Sequence, residues 1–177
     1  MTPDVGSNAN QSILHLVKPG WRVCEIGVRS GQSSYFFLKQ GAFLYMVDPW
    51  KAYPEYPESG GYRFDFDKRD ALANVAEFPG KYEVIEKMSF EAAAEIPGNL
   101  DMVYIDGNHT YDYVLGDIRL YWPKVKSGGW LCGDDYSMWE VMKAIGDAWI
   151  EIRKTYPGCE NIELKLFGRN WAFQRPL

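Results

Sequence analysis

The chain predicts an α/β fold: a doubly wound, mostly parallel seven-stranded sheet with helices on both faces and an antiparallel hairpin at its C-terminal end. Three observations carry this. Short apolar runs alternate five times with helical patterns, the signature of βα repeats and a parallel sheet. The strand-like runs end in polar or glycine residues, at Glu25 and Gly27, Asp48, Met88-Ser89, Asp106 and Asp134-Asp135. Finally, Ile162 to Phe167 and Trp171 to Gln174 are joined only by Gly168-Arg169-Asn170, which suits a closing hairpin.

The elements follow in order. Within residues 1–20, Ser7 to Val17 carries Ile13, Leu14, Leu16 and Val17 at helical spacing until Pro19-Gly20 stops it, so a lead-in helix is expected. Trp21 to Gly27 is a first strand, and Ser33 to Gln40 a helix with Gly41 at its end. Phe43 to Val47 is a second strand ending at Asp48, and Asp67 to Phe78 a helix stopped by Pro79-Gly80. Tyr82 to Glu86 gives a third strand, Phe90 to Glu95 a short helix, and Leu100 to Ile105 a fourth strand. Tyr111 to Trp122 is a helix cut off by Pro123, Gly129 to Gly133 a fifth strand, and Ser137 to Lys154 a long amphipathic helix.

Composition narrows the functional classes. With 177 residues and 46% hydrophobic content, residues 1–177 read as a single domain with a sizeable core. Nineteen basic against 24 acidic residues give a net charge of -5 without a basic stripe, which argues against a nucleic-acid partner. No apolar run approaches the roughly 18 residues of a membrane helix, and Met1 to Asn10 has no signal pattern, so a cytoplasmic protein without a membrane partner is expected. Cys24 and Cys132 lie in apolar strand-like runs, and all three cysteines read as free thiols.

In an open parallel sheet the binding crevice lies at the carboxyl ends of the strands. In Val23-Cys24-Glu25-Ile26-Gly27-Val28-Arg29-Ser30-Gly31-Gln32-Ser33 two glycines stand four apart in a strand-to-helix turn, letting backbone approach a ligand. The spacing departs from the dinucleotide G-x-G-x-x-G, which lowers a nicotinamide oxidoreductase reading. Asp48, twenty-one residues after Gly27, is placed to accept hydrogen bonds from a ribose. If the strands before Asp106 and before Asp134-Asp135 are neighbours, three carboxylates meet at one sheet edge, and like charges that close call for a cation. His109, on the same loop as Asp106, can take a proton from a nearby hydroxyl; its alternatives are a helix cap near Thr110 or a bond to the metal shell. His15 and Asp117 read as structural, Asp117 as an exposed or interhelical acid in a helix interior.

The pattern Glu25-x-Gly27-x-x-x-Gly31, Asp48 and the terminal hairpin resembles the Rossmann-type, class I S-adenosylmethionine-dependent methyltransferases. Ile105-Asp106-Gly107-Asn108-His109-x-Tyr111, with Asp117, Trp122-Pro123, Ser127-Gly128-Gly129 and Gly133-Asp134-Asp135-Tyr136, resembles the branch with cephalosporin-biosynthesis and macrolide-sugar O-methyltransferases. The resemblance implies that Glu25, Gly27, Gly31 and Ser33 line the methionine end of the cofactor, Asp48 holds the ribose, and Met88 and Ser89 sit at the adenine. It further implies that Asp106, Asp134 and Asp135 bind magnesium, with Asp106 also near the cofactor, and His109 stands where related catechol-type enzymes carry a lysine base.

The stretch from Pro49 to Phe64 exceeds an ordinary βα loop and holds Trp50, Tyr53, Tyr56 and Tyr62. Trp50 is expected against the adenine; residues 50–64 as a whole form an aromatic insert or lid, or with equal weight a homo-oligomer contact. The expected activity is magnesium-dependent O-methylation of a small hydroxylated molecule such as a sugar, vicinal diol or catechol. The alternatives are a metal-independent or N-methylating enzyme and a non-catalytic cofactor-binding module.

Overall fold

The computed structural model describes residues 13–56 and 61–177. Seven strands form one sheet: β1 (Arg22–Ile26), β2 (Phe43–Val47), β3 (Tyr82–Ile85), β4 (Leu100–Ile105), β5 (Val125–Gly133), β6 (Leu164–Phe167) and β7 (Asn170–Gln174). Their order is β3-β2-β1-β4-β5-β7-β6, with the first five parallel and β7 antiparallel to both of its neighbours. The chain doubles back between β1 and β4, which makes that edge the switch point at which ligands bind in such sheets. The expected fold class is thus the observed one.

Two helix layers cover the sheet because its strands alternate. From β1 and β4, Val23, Met102 and Tyr104 pack toward α1 (Gln32–Lys39) and α2 (Phe64–Val75), meeting Phe37, Leu38, Ala71 and Val75. From the same strands Cys24, Ile26, Val103 and Ile105 face α3 (Ser89–Ala92), α4 (Tyr111–Tyr121) and α5 (Trp139–Thr155). All six residues of β4 are buried, as a central parallel strand covered on both faces requires. The three cysteines are free, and Cys24 and Cys132 are buried, as expected; Cys159 is buried as well.

Several boundaries differ from expectation for local physical reasons. The lead-in helix reduces, within the described residues, to a 3-10 turn at Leu14–Leu16; residues 7–12 of that expectation lie outside them. Helix α2 begins three residues before Asp67, whose carboxylate reaches back to accept from the Arg63 N–H at 3.2 Å, so Asp67 sits inside the first turn. Pro123 does not end α4 abruptly: the chain tightens into a 3-10 turn over Trp122–Lys124. Strand β5 starts at Val125 rather than at Gly129, because the preceding residues are carried through the ladder by a register shift opposite Leu100 and Met102. There Gly129 is required by close backbone approach, since a β-carbon would come 2.9 Å from the Asp101 carbonyl oxygen.

Candidate active site

At the carboxyl ends of the parallel strands lies one cavity of about 500 Å3, within the range of small-ligand sites. Its wall runs from the turn after β1 (Gly27 to Ser30, Gln32, Ser33), past Asp48 and Trp50 after β2 and Met88-Ser89 after β3, to Asp106–His109 after β4 and Asp134-Asp135 after β5. Among the described residues four non-glycines adopt positive φ, and three of them, Arg29, Trp50 and Asp135, line this cavity. Such backbone strain persists where surrounding structure holds it, and it concentrates at functional sites.

The turn after β1 is organised by Asp48. One carboxylate oxygen accepts from the backbone N–H groups of Val28 at 2.9 Å and Arg29 at 2.8 Å; the other accepts from Trp50 N–H at 2.7 Å. The Trp50 indole then donates to the Arg29 carbonyl at 2.8 Å, so Asp48, Arg29 and Trp50 form one closed unit. Burial raises the Asp48 pKa while the three N–H groups oppose it. Gly27 and Ser33 lie on the cavity wall. Glu25 and Gly31 stand behind it. Glu25 is buried and accepts from the Ser34 hydroxyl, with burial pushing its carboxyl well up. Gly31 allows α1 to pass Ala71 of α2, whose Cα would lie 2.8 Å from an added β-carbon.

The acidic end is assembled differently from three converging aspartates. Asp106, His109 and Asp135 each bring a ligand atom within 4.8 Å of the others. His109 Nε2 lies 3.0 Å from Asp135 Oδ2 and 3.7 Å from Asp106 Oδ1. Asp134 points its Oδ1 to Arg169 Nε at 2.8 Å, Asn170 Nδ2 at 3.1 Å and the Asp135 N–H at 2.8 Å. Arg169 also pairs with Asp135, so one guanidinium spans both aspartates. Its backbone is fixed as well: the Tyr136 N–H donates to the Arg169 carbonyl at 3.0 Å. Burial pushes Asp106 up to about 6, with the His109 hydrogen bond opposing and the Asp134 and Asp135 charges adding to the rise. Asp135 is held below its usual value, chiefly by the His109 hydrogen bond.

Residues of the aromatic insert rim the cavity. Tyr53 stacks on Tyr56 with ring centroids 5.3 Å apart and meets Tyr113 of α4 at 5.6 Å, while the Arg29 guanidinium lies 4.4 Å above the Tyr62 ring. Buried Asn108 donates its side-chain amide to the Glu55 carbonyl at 2.8 Å and accepts from Thr110 N–H at 2.9 Å. The insert therefore crosses from the end of β2 over β1 to the end of β4. Residues 57–60 of the expected lid lie outside the described ones.

Sequence reasoning gave Arg169, Asn108 and Asp117 no role at the site. Asp117 corrects an expectation: it is neither exposed nor merely interhelical, but 4% exposed and on the cavity wall beside Met88 and Ser89. The signal was present, because Asp117 falls between Val114, Ile118 and Tyr121 on the apolar stripe of α4. Burial pushes its carboxyl up to about 7, with the Ser89 hydrogen bond pulling the other way. A carboxyl that keeps its proton more tightly when folded contributes stability below about pH 4 that is lost as pH rises to about 7. Stability of the native chain should therefore fall by a few kcal/mol over that window, and Asp117→Asn should flatten this component in denaturant titrations at pH 4.5 and 7.5. Equal pH slopes for the two proteins would refute the assignment.

Comparison with known proteins agrees with this architecture. The sequence profile of a family described as a methyltransferase domain matches residues 24–136. A 54-residue stretch, 28% of this chain, is 39% identical to the uncharacterized protein R132 of Acanthamoeba polyphaga mimivirus, where it spans 24% of the length. An S-adenosylmethionine-dependent O-methyltransferase from Thermotoga maritima superposes with a TM-score of 0.68 at 12% identity, over 100% of this chain and 68% of that one. The Bacillus cereus O-methyltransferase in complex with S-adenosylhomocysteine gives 0.64 at 12%, over 99% and 82%. The O-methyltransferase NovP gives 0.65 at 18%, over 96% and 77%. The chain belongs to the methyltransferase domain family and has the class I, Rossmann-type fold of its solved neighbours. Among the described residues no helix is long and apolar enough to cross a membrane.

Proposed function

We propose that this enzyme moves a methyl group from S-adenosylmethionine to a hydroxyl of a small acceptor bound at Asp106, His109 and Asp135. The observation that carries the reading is the continuity of the cavity: the turn after β1 and the Asp106–His109–Asp135 cluster share one space, so a sulfonium methyl and an acceptor oxygen fit in line within it. Gly27, Ser33 and Asp48 would position the cofactor, and Tyr53, Tyr56 and Tyr113 would exclude water and flank a flat acceptor.

The donor set fits a divalent cation. Two carboxylates and an imidazole whose ligand atoms lie within 4.8 Å of one another could together hold such an ion. When bound, a magnesium-type cation would favour the anionic form of the acceptor oxygen. In this reading His109 completes the set, and Asp134 acts from behind by holding Arg169 and Asn170.

A second reading is favoured by Arg169, which already supplies positive charge to Asp134 and Asp135. Here no metal is needed and His109 is the general base: its Nε2–H donates to Asp135 Oδ2, 3.0 Å away, and the acceptor proton would go to the other ring nitrogen, Nδ1, leaving an imidazolium that Asp135 stabilises. Transfer from labelled S-adenosylmethionine to a catechol and to a sugar, in magnesium and after chelation, separates the two. A chelator-sensitive rate, lower by about tenfold or more, supports the first reading. Transfer indifferent to chelator supports the second. No methylated hydroxyl product on a broad acceptor panel would rule out both.

A further inference from the structure

We infer that Asn108 is a positioning residue for the methyl acceptor: it fastens the aromatic insert beside Asp106 and His109, so that Tyr53 and Tyr56 stand as the wall against which the acceptor binds. The inference rests on the acceptor reading proposed above and is independent of the cation. Asn108 lies on the loop between β4 and α4, one residue before His109, and is 5% exposed. A buried amide needs partners at both of its ends. Its Nδ2 donates to the Glu55 carbonyl at 2.8 Å, across 53 residues of chain, and its Oδ1 accepts from the Thr110 N–H at 2.9 Å. The two ends thus serve different elements. An aspartate would satisfy Thr110 equally well, since turns of this kind take either residue, so the amide nitrogen is the part that only the insert uses.

The insert is built to be held at that point. The Tyr56 N–H donates to the Tyr53 carbonyl at 3.0 Å, closing a tight turn over residues 53–56, and Glu55 of that turn presents its carbonyl to Asn108. The Tyr53 hydroxyl also meets the Asn108 side chain. Its ring stacks on Tyr56 and continues to Tyr113 of α4, a set of apolar faces on the wall of the cavity that also holds Asp106 and His109. The other end of the insert has separate fastenings: the Trp50 N–H on Asp48, the Trp50 indole on the Arg29 carbonyl and the Arg29 guanidinium over Tyr62. Release at Asn108 therefore loosens the acceptor wall and leaves the turn after β1 in order.

Asn108→Asp separates the two roles, because it keeps an oxygen for Thr110 and sets a second oxygen against the Glu55 carbonyl. Lys51 and Arg63, both exposed, are the only tryptic sites in residues 50–64. In the full chain loaded with S-adenosylhomocysteine, cleavage there should be about tenfold faster in the variant than in the native protein, with S-adenosylhomocysteine affinity within about threefold. With catechol or the sugar as the probe acceptor, whichever the native enzyme methylates, KM should rise about tenfold and kcat change by less than about threefold. Asn108→Ala, which adds no charge beside Asp106, should loosen the insert in the same way. Unchanged cleavage in both folded variants would overturn the inference. So would faster cleavage with an equal loss of cofactor affinity, the mark of a merely structural residue. Native transfer with an unaltered KM in the variants sinks the inference alone, whereas native failure to methylate either probe removes the acceptor reading on which it rests.

Discussion

Replacement of His109 by alanine should lower kcat by about 1,000-fold while leaving S-adenosylhomocysteine affinity within about threefold. The imidazole lies between Asp135 at 3.0 Å and Asp106 at 3.7 Å, while the cofactor turn is organised separately by Asp48. Loss of the imidazole removes either the third donor of a cation or the group that takes the proton. In both cases the damage falls on the chemical step. The two assignments part on a second readout. If His109 is a donor, the variant also binds Mn2+ more weakly in titrations followed by electron spin resonance. If it is the base, Mn2+ affinity is indifferent to it and exogenous imidazole restores part of the rate. A His109→Ala enzyme with near-native kcat would exclude both roles.

The Gly27→Ala variant should lose more than about 3 kcal/mol of stability and accumulate mainly in insoluble form. Two costs combine at this position. Gly27 has φ of +86°, and an added β-carbon would sit 2.2 Å from the Asp106 carbonyl oxygen and 2.6 Å from Gly107 Cα, both backbone atoms of the adjoining strand end. Neither can rotate away. Gly20 provides the control: its φ is +83°, but nothing lies within 4 Å of an added β-carbon. Gly20→Ala should therefore cost only the conformational share, about 1–2 kcal/mol. Urea unfolding of the two variants measures the difference, and similar losses would show that the β1–β4 approach is not what Gly27 serves. Because the obstructing atoms belong to Asp106 and Gly107, any Gly27→Ala protein that does fold should also have its acidic end displaced.

How far the sequence could be read depended on what kind of physics placed each residue. The strand ends were legible because apolar runs and their terminators encode where a strand stops, and topology then delivers Asp48, Asp106 and Asp135 to one edge. Side-chain direction is another matter. Asp134 and Asp135 are neighbours in the chain, yet one turns to Arg169 and Asn170 while the other meets His109, a division set by the left-handed backbone at Asp135 (φ 58°) and by the arrival of the hairpin. Arg169 looked like a turn residue because nothing local announces that β7 will slot between β5 and β6 and carry the turn to the active edge. Asp117 was misread for the opposite reason. Its helical position was right, but charge was allowed to outweigh a periodicity that puts it among Val114, Ile118 and Tyr121.

The insertion of β7 between β5 and β6 has a bearing on how the cavity is held. The ladder from Trp130↔Gln174 to Gly133↔Trp171 joins segments about forty residues apart, and Trp171 Nε1 and Arg169 then secure the Asp134-Asp135 pair. Asp48, Trp50 and the turn after β1 make their contacts without that hairpin, whereas Asp134 and Asp135 owe their orientation to it. Detaching β6 and β7 would thus leave one side of the cavity in order while freeing the other, so the two ends of a single cavity are held by separate parts of the fold.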